Sequence, residues 1–409
     1  MDSEILKNID QRKLGSSLQE ARKARGLTQA AAAENLGIKR TTLVAIEKGE
    51  RKIAPGELIY LAKLYGRSVS EFVSQRVNAE PFAPQFRLPS GQQTVEETDL
   101  RSAVIGFESL ARDYVELEEM TQQRRRPSFP AVYTIDVPGV KPEQRGEEVA
   151  AEERTRLGLG DGPIADLRVL LEEAVGLRVF YIALPSKMGG IFACNDELGA
   201  CIAINRLHPV ARGNWSLAHE YAHFLSTRYL VDVDFMHNHW GKPASEKFAD
   251  SFARHFLMPR TGVLRRLTDA VNAHGKGVTV GDVMALSHLY QVSTEAMFRR
   301  LEDLRRLSHG TWDRLRADRG FKPEKAKEVL GLTQETWQPA LPLRYRLLAM
   351  RAYKDERITE AQFAKKLRLD RVSARLELEA LESLIDDAGG LEQDVFTPIE
   401  VDVSELLSA

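Results

Sequence analysis

Hydrophobic and polar positions change period several times along this chain, and each change marks an element. From Leu18 to Tyr65 apolar residues recur at helical spacing in short runs punctuated by glycine. These runs predict helices over Leu18–Gly26, over Leu27–Gly37 with Thr28 as N-cap, and over Lys39–Gly49. A fourth helix carries Leu58, Leu61, Ala62 and Tyr65, with Val69 and Phe72 beyond it. From Leu100 the positions Ala103, Val104, Phe107, Leu110, Tyr114 and Leu117 approach a heptad seam over about two and a half heptads. Such a long helix either docks onto another domain or pairs with a second copy of itself. Leu157–Val175 reads as one amphipathic helix, after which the period drops to that of short strands at Leu177–Leu184, Gly189–Ala193 and Ala200–Ile204.

Helical spacing then returns. Leu217, Tyr221, Phe224 and Leu225 form the stripe of one helix. Ser245 is placed as N-cap of another that carries Phe248, Phe252 and Phe256. Val280–Leu301 is helical, with Tyr290-Gln291-Val292-Ser293 as a cap before Ala296, Met297 and Leu301, and Ile358–Asp370 forms a late helical pair. The predicted fold is mainly α and multidomain. It has an all-α domain over 11–76, a linker and long helix over 77–149, a central α+β domain with a small sheet over 150–305, and a helical C-terminal region over 306–409.

The central helix reads His219-Glu220-Tyr221-Ala222-His223. Positions i and i+4 share a helix face, so both imidazoles can address one metal ion with Glu220 beside them. Zinc takes three protein ligands and an open position in hydrolytic sites, and lowers the pKa of water there to about 7. Glu220 is placed to accept that water's proton and return it to the leaving amine. Glu246 is the third ligand expected, and Asp250, one turn further on the same face, is placed to hold the second ring nitrogen of a ligating histidine. His237 and His239 read as polar loop residues, with oxyanion stabilisation or replacement of Glu246 as the sharper alternative; His255 stays open in the same way.

These residues carry a resemblance. Ile202-Ala203-Ile204-Asn205 with Arg212, then Leu217-Ala218-His219-Glu220-Tyr221-Ala222-His223-Phe224-Leu225, then Glu246-x-x-Ala249-Asp250-x-Phe252-Ala253-x-x-Phe256-Leu257-Met258-Pro259 are similar to the motifs of the ImmA/IrrE family of zinc metallopeptidases, over roughly residues 150 to 305. The resemblance implies a gluzincin-like fold, Zn2+ as cofactor, and cleavage of a peptide bond in a protein, often a DNA-binding repressor. Asp250 stands where the family more often has Asn, which moves the helix toward the Glu-x-x-x-Asp pattern of gluzincins. The strands beside the metal helices are expected to take an extended substrate by strand addition.

The first domain joins two helices through a tight glycine turn, as a helix-turn-helix requires, and over about residues 13 to 73 it resembles the Xre, or phage-repressor-like, DNA-binding domain. Residues 1–78 hold 14 Lys and Arg against 9 Asp and Glu, a basic excess in a chain whose net charge is −2. That local excess suits phosphate contact. By the resemblance, Gln29 positions the backbone, Lys39, Arg40, Thr41 and Thr42 open the recognition helix with Arg40 suited to guanine, and Lys48, Arg51 and Lys52 meet phosphates. Val44 and Ala45 are apolar where relatives are polar; they either touch thymine methyls or leave readout weak. Ile358–Asp370 echoes Thr28, Ala33, Leu36 and Ile38, but with Glu377 and Glu379 following it suggests a protein-interaction or sensory role rather than DNA contact.

Composition narrows the class. The 409 residues, 43% of them hydrophobic, suit several cores. The start Met-Asp-Ser-Glu-Ile-Leu-Lys carries no basic-then-apolar leader and no run reaches membrane length, so a cytoplasmic protein without membrane contact is expected. Cys194 and Cys201 read as core residues of two strands, with a redox pair as the alternative; Arg124-Arg125-Arg126 reads as a solvated hinge. Two functions emerge. One is a double-stranded-DNA-binding regulator, a homodimer where it reads paired half-sites, whose zinc peptidase cleaves a repressor-like partner or its own chain in a stress, phage or mobile-element response. The alternative is a transcription factor whose zinc domain is only a structural or ligand-sensing module.

Overall fold

The structure is a computed structural model that describes residues 11–65, 69, 72, 95–125, 129–195, 197–228, 243–318, 321, 323–332 and 336–387. The Pro81–Pro89 connector, His237, His239 and the end of the basic Arg124–Arg126 cluster lie outside the described residues. The first helices are α1 (Gln11–Ala24), α2 (Gln29–Leu36), α3 (Arg40–Glu47) and α4 (Pro55–Tyr65). They enclose Leu18, Leu43, Ile46, Leu58, Leu61 and Tyr65. Thr28 accepts from the Ala31 backbone N–H at the start of α2, and Gly37 closes it at φ 71°, the left-handed conformation that glycine enters without a Cβ penalty.

A sheet separates two further cores. Strands β1 (Arg178–Ile182), β2 (Gly190–Asn195) and β3 (Gly199–Asn205) lie in the order β1-β3-β2, with β1 parallel and β2 antiparallel to β3. Because side chains alternate across a strand, Val179, Tyr181, Ile202 and Ile204 enter one core, while Phe180, Ile191, Ala193 and Cys201 enter the other. The same alternation settles the cysteines. Cys201 pairs with Ala193 and Cys194 with Ala200, so the two thiols point to opposite faces and no disulfide joins them.

On the far face lies the long helix α5 (Val95–Met120), whose Val104, Phe107, Leu110, Tyr114 and Leu117 are buried against the sheet and the C-terminal helices. Its seam is therefore filled by docking within the chain. On the near face lie α6 (Pro142–Arg156) and α7 (Leu167–Leu170), which continues as one π-helical turn, Leu171–Val175. The single helix expected over Leu157–Val175 is thus broken. Gly158 and Gly160 take φ of 65° and 55°, and the chain cannot re-enter a helix until Asp166 caps Val169.

The near face continues through α8 (Val210–Thr227), α9 (Ala244–Leu257), α10 (Arg260–His274), α11 (Val280–Leu289) and α12 (Thr294–Asp303). Pro243, not Ser245, is the N-cap of α9, which places Ser245 inside the first turn; proline suits this entry because it fixes φ before a helix begins. The helices expected over Val280–Leu301 part at Gln291 (φ 52°), and Ser293 caps the second through Ala296, as the Tyr290–Ser293 cap required. The chain continues as α13 (Thr311–Ala317), α14 (Pro323–Val329), α15 (Leu343–Lys354), α16 (Glu360–Leu367) and α17 (Arg371–Asp387). Thr359 and Gln362 form a capping box on α16, and Arg368 at φ 58° closes it where Gly37 closes α2. Lys366 pairs with Asp113 and Glu116, and Arg178 with Glu118, so ion pairs tie α16 and β1 to α5. Among the described residues, no helix is long and apolar enough to cross a membrane.

Candidate metal centre and nucleic-acid interface

The metal-ligating residues expected from sequence converge between α8 and α9. His219 Nε2 lies 3.2 Å from His223 Nε2 and 3.4 Å from Glu246 Oε2, and His223 Nε2 lies 3.1 Å from Glu246 Oε1. A tetrahedral metal with bonds of about 2.0–2.1 Å has ligand–ligand edges of about 3.3–3.4 Å. Each spacing is near such an edge, with the two Glu246 contacts made by different carboxylate oxygens, and among the described residues these three form a group of side chains able to share an ion. His219 Nδ1 lies 3.2 Å from Asp250 Oδ1, which fixes the ring so that Nε2 faces the centre.

Electrostatics follow from that crowding. Burial disfavours a charged His219, yet hydrogen bonds to Asp250 and Glu246 push it up to about 10. Glu246, bonded by both imidazoles, is held well below the usual carboxylate range. Burial raises the Glu220 carboxyl, against the pull of His223 and His219. Glu246 and Asp250 thus favour positive charge on His219.

Tertiary contacts that spacing did not reveal hold the arrangement. On the buried side of α8, the Tyr221 hydroxyl donates to Glu153 of α6, itself fully buried. Arg156 binds Glu153 at 2.7 and 2.8 Å and Tyr133 donates to it at 3.0 Å. Adjacent to the catalytic candidate, a Cβ on Gly190 would come 2.9 Å from Glu220 Cγ and 2.8 Å from Ile204 Cδ1, so β2 approaches Glu220 this closely because position 190 is glycine. Asn205 sets that approach. Its Oδ1 accepts from Leu184 and Leu207 backbone N–H groups, and its Nδ2 donates to the carbonyls of Leu184, Pro185 and Met188, which organises the loop leading into β2. Asn205 belonged to the motif read from sequence, but its partners are visible only in three dimensions. His255 stands apart from the metal group, bonded to the Ser251 carbonyl and facing Arg300.

Residues 172–302 match the IrrE N-terminal-like domain. This is a metallopeptidase family, and the match spans the π turn, the sheet and the helices from α8 to α12. Residues 18–72 match the helix-turn-helix family. No curated protein matches the chain. The two matches together give a DNA-binding helix-turn-helix head fused to an IrrE-like domain, the architecture of a transcriptional regulator with a peptidase-family module. Helix α6 precedes the IrrE-like match yet packs along α9 and supplies Glu153 to the metal helix.

In the head, Lys39 is the N-cap of α3, Arg40 and Thr41 are exposed at its first turn, and Thr42 is half-buried. Lys48 and Lys52 are exposed, while Arg51 is bound to Glu57 at 3.0 Å. Gln29 is turned inward in part: its amide donates to Glu47, which is buried against Arg22 at 2.6 Å. That Arg22–Glu47 pair, missed in the sequence reading, ties α1 to the far end of α3.

Proposed function

We propose that the chain is a DNA-bound regulator whose IrrE-like domain is a zinc endopeptidase acting on a repressor-type protein, either a partner or this chain itself, in a stress, phage or mobile-element response. The observation that carries this reading is Glu220 next to His219 on α8, beside the group of His219, His223 and Glu246, with its side chain packed into the space that a Cβ on Gly190 would take. A structural metal site has no need of such a carboxylate. His219, His223 and Glu246 would hold zinc, with Asp250 orienting His219, and the ion would supply the Lewis acidity that activates water near neutral pH. A Glu220 oxygen takes the proton from the attacking water and delivers it to the nitrogen of the leaving amine.

A protein substrate suits the neighbouring strand. β2 is an edge strand of the sheet and runs antiparallel to β3 beside α8. A peptide added along it would gain main-chain hydrogen bonds and be carried past Glu220. For the head we propose that Arg40, Thr41 and Thr42 meet base edges, with Lys39, Lys48, Arg51 and Lys52 on phosphates and Gln29 bracing α3 through Glu47. Arg51 can reach phosphate only by leaving Glu57. The test of the metal reading is cleavage of candidate repressors and of the protein's own head, followed by intact mass. Cleavage should stop on chelation and return with zinc in stoichiometric amount; cleavage that survives complete metal removal overturns it.

A further inference from the structure

Where the entry to α7, the start of α8, the end of α11 and the segment Trp337–Gln338 meet, they enclose a cavity of about 260 Å³. None of its lining residues belongs to the metal group. Hydrogen bonds hold its walls together. The Gln338 amide donates to Asp166 at 2.6 Å, the Gln291 amide to the Ala165 carbonyl at 2.8 Å, and the Asn214 amide to the Gln291 carbonyl and side chain at 3.2 and 3.3 Å. The shape is thus set before anything enters, as in most small-molecule sites.

Tyr181 of β1 lines this cavity at 4% exposure, yet its hydroxyl makes no hydrogen bond among the described residues. A buried phenol left without a partner is costly. Burial pushes it well above its ordinary pKa, so it stays a neutral O–H donor. The rest of the ring is taken: Arg168 lies 4.5 Å over it and Trp337 meets it edge-on at 4.7 Å. What Tyr181 offers a ligand is therefore its hydroxyl. Half-buried Trp337 supplies a flat apolar wall, with Leu167 and Val210 beside it. Asn214 and Gln338 spend their amide nitrogens on protein partners, which leaves each amide oxygen to accept. Among the described lining residues there is one carboxylate, Asp166, and neither Lys nor Arg, so the cavity is unsuited to an anion.

We propose that this cavity binds a neutral purine, as the free base or its nucleoside, packed on Trp337, with a ring nitrogen accepting from the Tyr181 hydroxyl and an N–H donating to the Asn214 or Gln338 amide. Flat rings that carry donors and acceptors side by side are what aromatic walls and side-chain amides recognise together. Ligand sites run from about 300 to 1,000 Å³, so this one suits a single fused ring system and excludes a dinucleotide or a folded peptide. Val210 and Asn214 stand one turn apart at the start of α8, the helix that carries His219 and His223. A purine here would touch the metal helix and the C-terminal segment at once. Its binding is independent of whether the IrrE-like domain turns over a substrate.

Isothermal titration calorimetry of the full chain with adenine, adenosine and guanosine tests this. At least one should bind with a stoichiometry of one, and comparison of adenine with adenosine separates free base from nucleoside. Tyr181→Phe removes only a hydroxyl that has no protein partner. It should leave the melting temperature without purine unchanged and weaken binding about fivefold, the worth of one neutral hydrogen bond. Trp337→Ala should weaken binding at least about fivefold through lost stacking, and Trp337→Phe, which keeps a ring and the fold, should recover part of that loss. Indole, flat but without an acceptor for Tyr181, and benzoate, an anion, should each bind at least tenfold more weakly than the best purine. The proposal is overturned if no purine binds in the millimolar range, if purine affinity is indifferent to Tyr181→Phe, or if indole or benzoate binds as tightly.

Discussion

Gly190 lies against Glu220 and Tyr221 reaches Glu153, and each is held to its identity by contact rather than by conformation. A methyl group at Gly190 would enter the space of Glu220 Cγ at 2.9 Å. Misplacing a catalytic group by about 1 Å costs on the order of 100-fold in rate. Gly190→Ala should therefore depress cleavage strongly while metal content, read by atomic absorption, stays at wild-type level. Tyr221→Phe removes one donor from buried Glu153 and leaves Arg156 and Tyr133 on it. A buried acceptor deprived of a partner costs about 1–3 kcal/mol, and a chemical-denaturation curve should register that loss. His219, Glu220, His223, Glu246 and Asp250 were legible because a helix converts spacing of four into a shared face. Glu153 and Tyr221 stand 68 residues apart, and nothing in either local pattern says that they meet.

At the level of elements, caps and breakers decide where helices begin and end. Thr28 satisfies an otherwise orphaned N–H of α2, and α2 is the helix against which the recognition helix α3 packs. Thr28→Ala should lower the stability of the head by about 1 kcal/mol. Its melting transition should drop without any change in the metal content of the IrrE-like domain. The sequence reading of α2 succeeded because Thr28 and Gly37 mark both ends. It failed over Leu157–Val175 because apolar periodicity was followed through Gly158 and Gly160, two residues whose positive φ breaks the helix. Ser245 misled for a related reason: a serine near a helix start is a good cap, but Pro243 fixes the chain's entry two residues earlier. The heptad-like run of α5 was read correctly as apolar, yet periodicity cannot say whether a stripe meets another chain or its own sheet.

Across the whole molecule, the sheet joins two cores. Its near face carries the metal helices and its far face carries α5 with the C-terminal helices, so β3 contributes to both cores through alternate residues. Trp337 adds a second link on the near side. Its indole N–H donates to the His208 carbonyl, its ring meets Tyr181 at 4.7 Å, and it occupies the space beside Gly213 where any Cβ would collide. The C-terminal region is thereby attached to the first turn of the helix that carries His219 and His223. The central claim is that this helix performs hydrolysis and does not merely hold a metal. The measurement that tests it most directly compares wild type with Glu220→Gln, each checked for bound zinc, incubated with candidate repressors and with the protein's own DNA-binding head, and read by intact mass. The account predicts a discrete product in wild type alone with equal zinc in both proteins. Equal zinc with no product from any partner, or the same product from both proteins, would contradict it and leave the IrrE-like domain as a structural or ligand-sensing module.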